Sequence, residues 1–95
     1  MSKKEAYMQK LQAQLDEWGA EIKKLKAKAD KADADVKIEY HNIVEDLKEK
    51  QNKAKEKMKA LGQAGDEAWK DMRAGIETAW KNLSQSVKSA VSKFK

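Results

Sequence analysis

Two adjacent copies of an eleven-residue pattern decide the fold of this chain: AWKDMRAGIET, residues 68–78, and AWKNLSQSVKS, residues 79–89. A shortened third copy, AVSKFK, follows at residues 90–95. The apolar positions of the copies coincide, in the sets Trp69, Trp80 and Val91; Met72, Leu83 and Phe94; and Ile76 and Val87. Eleven residues make three helical turns at about 3.67 residues per turn, so the apolar stripe stays on one face of an α-helix. The pattern predicts an amphipathic helix over about residues 66–94.

A second apolar pattern, which alternates steps of four and three residues, runs through the rest of the chain. Its members are Tyr7, Leu11, Leu15, Trp18, Ile22, Leu25, Ala29, Ala32 and Val36, and then Tyr40, Ile43, Leu47, Ala54, Met58 and Leu61, with Ile38 and Val44 widening the apolar face. Such a heptad seam is typical of helices that pack on other helices. Ser2 and Glu5 have the spacing of a capping box, which predicts a helix start near residue 3. Because the chain has no proline and four glycines, we predict an all-α protein.

One convincing break separates the two patterns. In LGQAGDEAW, residues 61–69, Gly62 and Gly65 can adopt the left-handed conformation that ends helices, and Asp66 can cap the next helix. The sequence therefore predicts a turn at residues 62–65.

The alanine- and aspartate-rich stretch KAKADKADADVK, residues 26–37, is ambiguous. It contains neither glycine nor proline, and alanine favours helix, so we expect one heptad helix over about residues 3–61. The alternative is a hinge at residues 30–35, where Asp33 or Asp35 would cap a new helix.

The helical lengths predict the architecture. Residues 4–32, 36–61 and 67–94 would each span about 40 Å at about 1.5 Å per residue, so we expect one coiled-coil domain, residues 1–95, with an antiparallel three-helix cross-section. A bend at residues 30–35 would give a compact monomer. A straight first helix would be about 90 Å long, and the apolar side chains of its N-terminal half would need a second copy, most simply by domain swapping. We therefore expect a dimer.

Composition excludes several classes of function. The net charge of +5, from 21 basic and 16 acidic residues, is a modest excess on a mixed surface. The absence of cysteine excludes disulfides, thiol catalysis and zinc–thiolate sites and fits a cytoplasmic protein. No apolar run approaches the about 18 residues of a membrane span, and MSKKEAYMQKLQ lacks the apolar region of a signal peptide. We expect a protein without enzymatic activity, cofactor, metal or small-molecule substrate.

The polar residues favour solvated helix faces over chemical sites. His41 is the single histidine, and with Glu45 one turn later it would make only a weak metal site, so we place it at the seam edge or surface. Glutamates four residues apart also occur in di-iron helix bundles. Those bundles need Glu-x-x-His elements on two helices, which one histidine cannot supply. The lysine run at residues 48–59 is interrupted by acids and has no aromatic side chain for base stacking, which argues against nucleic acid as a partner.

Three stretches carry a family resemblance: EAYMQKLQAQLDEW at residues 5–18, KLKAKADKADADVKIEY at 24–40, and DEAWKDMRAGIETAWKNLSQSVKSAVSKFK at 66–95. Together they resemble a group of short bacterial coiled-coil proteins known as stress-response proteins of a cyanobacterial type. The most specific part is the pair of AW repeats before the basic, Phe-containing end. The resemblance implies extended helices and an intracellular bacterial setting, and it transfers no catalytic residue. The repeat also resembles, more distantly, the eleven-residue helices of apolipoproteins and desiccation-protective proteins.

These observations predict a non-enzymatic, self-associating coiled-coil protein linked to bacterial stress response. The side chains expected to make its helix contacts are Leu11, Leu15, Trp18, Ile22, Leu25, Ile43, Leu47, Met58, Leu61, Trp69, Met72, Ile76, Trp80, Leu83, Val87 and Phe94.

The alternative is a peripheral membrane protein. From Thr78 onward the chain contains no acid, and its basic residues are Lys81, Lys88, Lys93 and Lys95. They lie opposite the apolar stripe of the repeat, and a basic amphipathic helix with aromatic side chains is attracted to anionic lipid surfaces.

Overall fold

Three helices make up the computed structural model, which describes residues 2–94: α1 (Lys3–Lys31), α2 (Ala34–Gln63) and α3 (Ala68–Lys93). Helix α2 runs antiparallel to both others, since contacts join opposite ends of the paired helices, as between Lys4 and Gly62 and between Glu39 and Lys93. The bundle measures 51 × 20 × 18 Å. The predicted all-α class and three-helix cross-section are confirmed.

Helix α1 begins where the capping pattern predicts. The hydroxyl of Ser2 accepts a hydrogen bond from the Glu5 amide at 3.1 Å, which satisfies one of the unpaired amides of the first turn. The start of α1 is thus fixed by local sequence alone.

The continuous helix expected over residues 3–61 is not formed, because the chain bends at Ala32 and Asp33, which we call the hinge. Both residues have extended backbone, with φ and ψ of −69° and 155° at Ala32 and of −62° and 150° at Asp33. The bend lies within residues 30–35, where our alternative prediction placed it. It allows α1 to bury its apolar seam against α2 and α3 of the same chain, and this burial outweighs the few backbone hydrogen bonds of a straight helix.

The second turn lies two residues beyond the predicted one at residues 62–65. Helix α2 continues to Gln63 and ends at Ala64, in extended backbone with φ −76° and ψ 145°. No residue among 2–94 has a positive φ, so the expected left-handed glycine cap is not used. Helix α3 begins at Ala68, after Glu67 rather than after the predicted cap Asp66.

A lysine from α1 takes the place of the glycine cap. The ammonium group of Lys4 donates hydrogen bonds to the carbonyl oxygens of Gly62, at 3.1 Å, and of Ala64, at 2.6 Å. A cation is favourable at the C-terminal end of a helix, where carbonyl groups lack partners. The end of α2 is therefore stabilised by a residue almost sixty positions away in the sequence.

The core runs the length of the bundle, and all buried residues among those described are hydrophobic. They are Leu11, Leu15, Ile22, Leu25, Ala29, Val44, Leu47, Ala54, Leu61, Trp69, Ile76, Trp80, Leu83, Val87, Ala90 and Phe94. Four of the side chains expected at helix contacts, Trp18, Ile43, Met58 and Met72, are half-buried and pack against this core.

Candidate functional site

The apolar stripe of the eleven-residue repeat forms the contact between α3 and the other two helices. Trp80 is only 5% exposed, and its indole Nε1 lies 3.4 Å from the backbone oxygen of Leu11 on α1. At the other end of α3 the ring of Phe94 stacks on Tyr40 of α2, with centroids 4.0 Å apart. Most of the stripe is therefore buried within the bundle, and Met72 and Val91 are half-buried.

An aromatic cluster joins the first turns of α1 and α3. The rings of Tyr7 and Trp69 are 5.9 Å apart, and the guanidinium of Arg73 lies 5.2 Å from the centroid of Tyr7 and 5.9 Å from that of Trp69. The hydroxyl of Tyr7 is buried without a hydrogen-bond partner among the described residues. Burial, and secondarily the charge of Glu77, raise the pKa of Tyr7, while Arg73 opposes the shift. The phenol stays neutral at neutral pH, and the ring packs against Trp69 and Arg73.

Polar contacts close the bundle at the hinge end. His41 Nε2 lies 3.2 Å from the carboxylate of Asp30, which joins the last turn of α1 to α2. Lys93 of α3 pairs with Glu39 of α2, and the Tyr40 hydroxyl donates to the backbone oxygen of Lys93 at 3.3 Å. We predicted His41 at the seam edge or surface, and in the structure it is half-buried with Asp30 as its partner. No group of three or more potential metal ligands occurs among residues 2–94.

A groove of about 660 Å³ lies between α2 and α3, on the face turned away from α1. Ile43, Leu47 and Ala90 contribute its apolar surface, and the remaining lining consists of five amide or hydroxyl side chains and four charged ones. The ammonium of Lys50 lies 2.8 Å from the Ser86 hydroxyl and 3.0 Å from Asp46. Ser86 accepts a hydrogen bond from the ammonium of Lys50, so the groove presents polar contacts beside its apolar surface.

The lysine run of α2 forms a solvated face. Lys50 pairs with Asp46 at 3.0 Å, and Lys53 pairs with Glu49 at 3.4 Å, both four residues apart on the helix. Such exposed pairs each contribute about 0.3–0.5 kcal/mol to stability. These pairs support the first half of the run, whereas Lys55, Lys57 and Lys59 form no ion pair among residues 2–94.

The basic residues expected to face lipid lie on the exposed side of α3. Lys81, Lys88 and Lys93 are solvent-exposed, and Lys95 lies outside the described residues. The apolar stripe opposite them is buried against α1 and α2, so a lipid surface could meet both faces only after α3 leaves the bundle. Among residues 2–94, no helix is long and apolar enough to cross a membrane.

Val44 and Ile38, which were both predicted to widen the apolar face of α2, differ in burial. Val44 is 1% exposed in the core, whereas Ile38 is 75% exposed. A signal for Val44 was present, because strict alternation of steps four and three from Tyr40 leads to residue 44 and then to Leu47. The half-buried Ile43 lies beside that line, at the α2–α3 groove.

The geometry therefore defines a set of helix interfaces, one two-residue hinge and an open polar groove. Their chemistry is packing, hydrogen bonding and charge pairing. No protein family model, curated protein or solved structure matches this chain.

Proposed function

We propose that this chain is a non-enzymatic structural protein of the bacterial cytoplasm that works by helix–helix association, with a second copy of itself as its partner. The observation that carries the proposal is that the buried apolar side chains lie in contacts between helices. All buried residues among 2–94 belong to the seams of the three helices or to the end of α3, and none of them is polar or charged. A stress-related role is supported by the resemblance carried by residues 5–18, 24–40 and 66–95.

A second copy is favoured as the partner because the seams fit helices of the same kind. Helix α1 meets α2 and α3 through Leu11, Leu15, Ile22 and Leu25, and the same set could meet α2 and α3 of another copy if α1 were exchanged. Domain swapping exchanges an identical element between copies, so the complementarity that joins helices within one chain would also join them between two.

The mass of the particle in solution tests the proposal. In sedimentation velocity runs from micromolar to millimolar concentration, we expect the mass to rise from that of one chain, 10.8 kDa, to twice that value. A mass of one chain throughout this range would contradict self-association.

Survival under stress tests the proposed biological role. A bacterial host that expresses the chain is expected to survive osmotic or oxidative challenge better than the same host expressing a Trp80→Ala variant. Equal survival of the two hosts in every challenge would count against the stress role.

A second candidate function is reversible adsorption to an anionic membrane. It is favoured by the charge distribution of α3, where Lys81, Lys88 and Lys93 follow the last acid, Glu77. Adsorption would require α3 to exchange its contacts with α1 and α2 for contacts with lipid, and the attraction would weaken as salt screens it.

Vesicle binding tests this second candidate. The protein is expected to co-sediment with phosphatidylglycerol vesicles at low salt and to stay in solution with phosphatidylcholine vesicles. The double substitution Lys81→Gln and Lys88→Gln should release it, while the matched change of two exposed lysines of α2, Lys53→Gln and Lys57→Gln, should not. Equal loss in both variants would mean that net charge, and not α3, determines adsorption.

A further inference from the structure

The connection between α1 and α2 points to the way in which two copies meet. We propose that the hinge straightens and that α1 of each copy packs on α2 and α3 of the other, which gives a domain-swapped dimer. This inference rests on the self-association proposed above and names the exchanged segment, residues 3–31.

The backbone of the hinge needs little change to become helical. Ala32 and Asp33 have φ values of −69° and −62°, which are already helical, and only their ψ values of 155° and 150° must rotate to about −42°. Neither residue is glycine or proline, and neither has the positive φ that would oppose a straight helix. Two rotations at two residues therefore convert the bent connection into a continuous helix.

Straightening also satisfies backbone groups that the bend leaves without helical partners. The side chain of Asp33 makes no capping hydrogen bond to α2, and its backbone oxygen accepts from the amides of Val36 and Lys37 at 3.0 and 2.9 Å. In a continuous helix the amides that open α2 would bond to the carbonyls that close α1. The local sequence thus favours the straight form, and the bend is maintained by contacts between helices.

Those contacts can form equally well between two copies. The pairs that join α1 to the rest of the chain include Asp30 with His41, Lys4 with the Gly62 carbonyl, and Trp80 with the Leu11 carbonyl. Each becomes a contact between copies after exchange, with the same atoms. Contacts between α2 and α3 remain within one chain. The balance between the two forms is therefore set by the hinge and by protein concentration.

A proline at the first position of α2 separates the two forms. Ala34→Pro suits the bent chain, because the first helical position needs no amide and the preceding Asp33 already has the extended backbone favoured before proline. In a straight helix the same ring would remove one hydrogen bond and clash with the carbonyl of Asp30. We expect Ala34→Pro to weaken dimerisation by about a hundredfold or more.

Two further variants complete the comparison. Lys3→Pro is the matched control, because it also places proline at the first position of a helix, after the extended residue Ser2. Residue 3 starts a helix in both the bent and the straight form, so dimerisation should not change. Asp33→Ala removes a poor helix former without removing a side-chain cap, so it should strengthen the dimer several-fold. Equal dimerisation of Ala34→Pro and Lys3→Pro would overturn the exchange.

Cross-linking identifies which chains share the α1–α2 contact. The side chains of Asp30 and His41 are exposed enough to label, and His41 Nε2 lies 3.2 Å from Asp30 Oδ1. The chain has no native cysteine that would compete for the reagent. In the double variant Asp30→Cys and His41→Cys, a short bismaleimide should join two chains at concentrations where the mass is that of a dimer. With Ala34→Pro added, it should close a loop within one chain. A dimer by mass that cross-links only within single chains would overturn the exchange and leave self-association standing. A monomer by mass at every concentration would overturn both.

Discussion

Replacing Trp80 with alanine is expected to lower the free energy of unfolding by about 3–5 kcal/mol. The indole is 5% exposed, lies at the centre of α3 and reaches the backbone of α1 at Leu11, so its removal leaves a cavity where two helices meet. Small domains have a total stability of about 5–15 kcal/mol. The substitution therefore removes a large fraction of what holds the bundle together.

Thermal unfolding followed by circular dichroism measures this effect. For a domain of 60–100 residues, 1 kcal/mol shifts the Tm by about 4–8 °C, so the Tm of Trp80→Ala should fall by at least about 12 °C. The neighbouring exposed residue provides the matched control, since Lys81→Ala should change stability by no more than about 0.5 kcal/mol. Similar melting of the two variants would show that the repeat does not pack as described.

A carboxylate in place of Val44 is expected to unfold the protein or to destabilise it by more than about 4 kcal/mol. Valine and aspartate have similar volumes, so the cost comes from a charge placed in an apolar core and not from a cavity. Val44 is 1% exposed, and the structure shows no buried polar or charged residue among residues 2–94 to receive the carboxylate.

The equivalent change at Ile38 distinguishes burial from hydrophobicity. Ile38 lies on the same helix and is 75% exposed, so Ile38→Asp should stay within about 0.5 kcal/mol of the original protein. Urea unfolding of both variants gives the comparison. If Ile38→Asp destabilises the protein as much as Val44→Asp, then Ile38 is covered in solution by a surface other than those of the closed monomer.

Local patterns were sufficient to predict the all-α class, the start of α1 and the apolar face of α3. The eleven-residue repeat places Trp69, Trp80 and Phe94 on one face, and all three are buried. The Ser2 cap likewise follows from a contact only three residues long. Each of these features is determined by residues within a few turns of one another.

Both connections between helices were harder to predict, because distant contacts decide them. Alanine and lysine on either side of the hinge favour a straight helix, yet the chain bends there to bury the seam of α1 within the same molecule. The end of α2 depends on Lys4, which substitutes for the expected glycine cap. Helix propensity describes a segment by itself, whereas the hydrogen bonds from Lys4 join residues that are far apart in the sequence.

The candidate site was predictable in its residues and not in its pairings. Apolar spacing identified most of the packing side chains, and strict alternation of steps of four and three from Tyr40 would have selected the buried Val44 over the half-buried Ile43 that we predicted. His41 was predicted at the seam edge or surface, without a partner in another helix. Its pairing with Asp30 depends on the bend at the hinge, so no local pattern could indicate it.

The length of the particle tests the central claim most directly, because self-association by exchange must change both mass and shape. Small-angle X-ray scattering on the eluate of a size-exclusion column gives both quantities for each species. We predict a monomer with a long axis near 51 Å and a dimer whose largest dimension is about 90 Å or more, set by a straight helix through residues 3–63 at about 1.5 Å per residue. A single species of one chain at every concentration, with a long axis near 51 Å, would contradict the account.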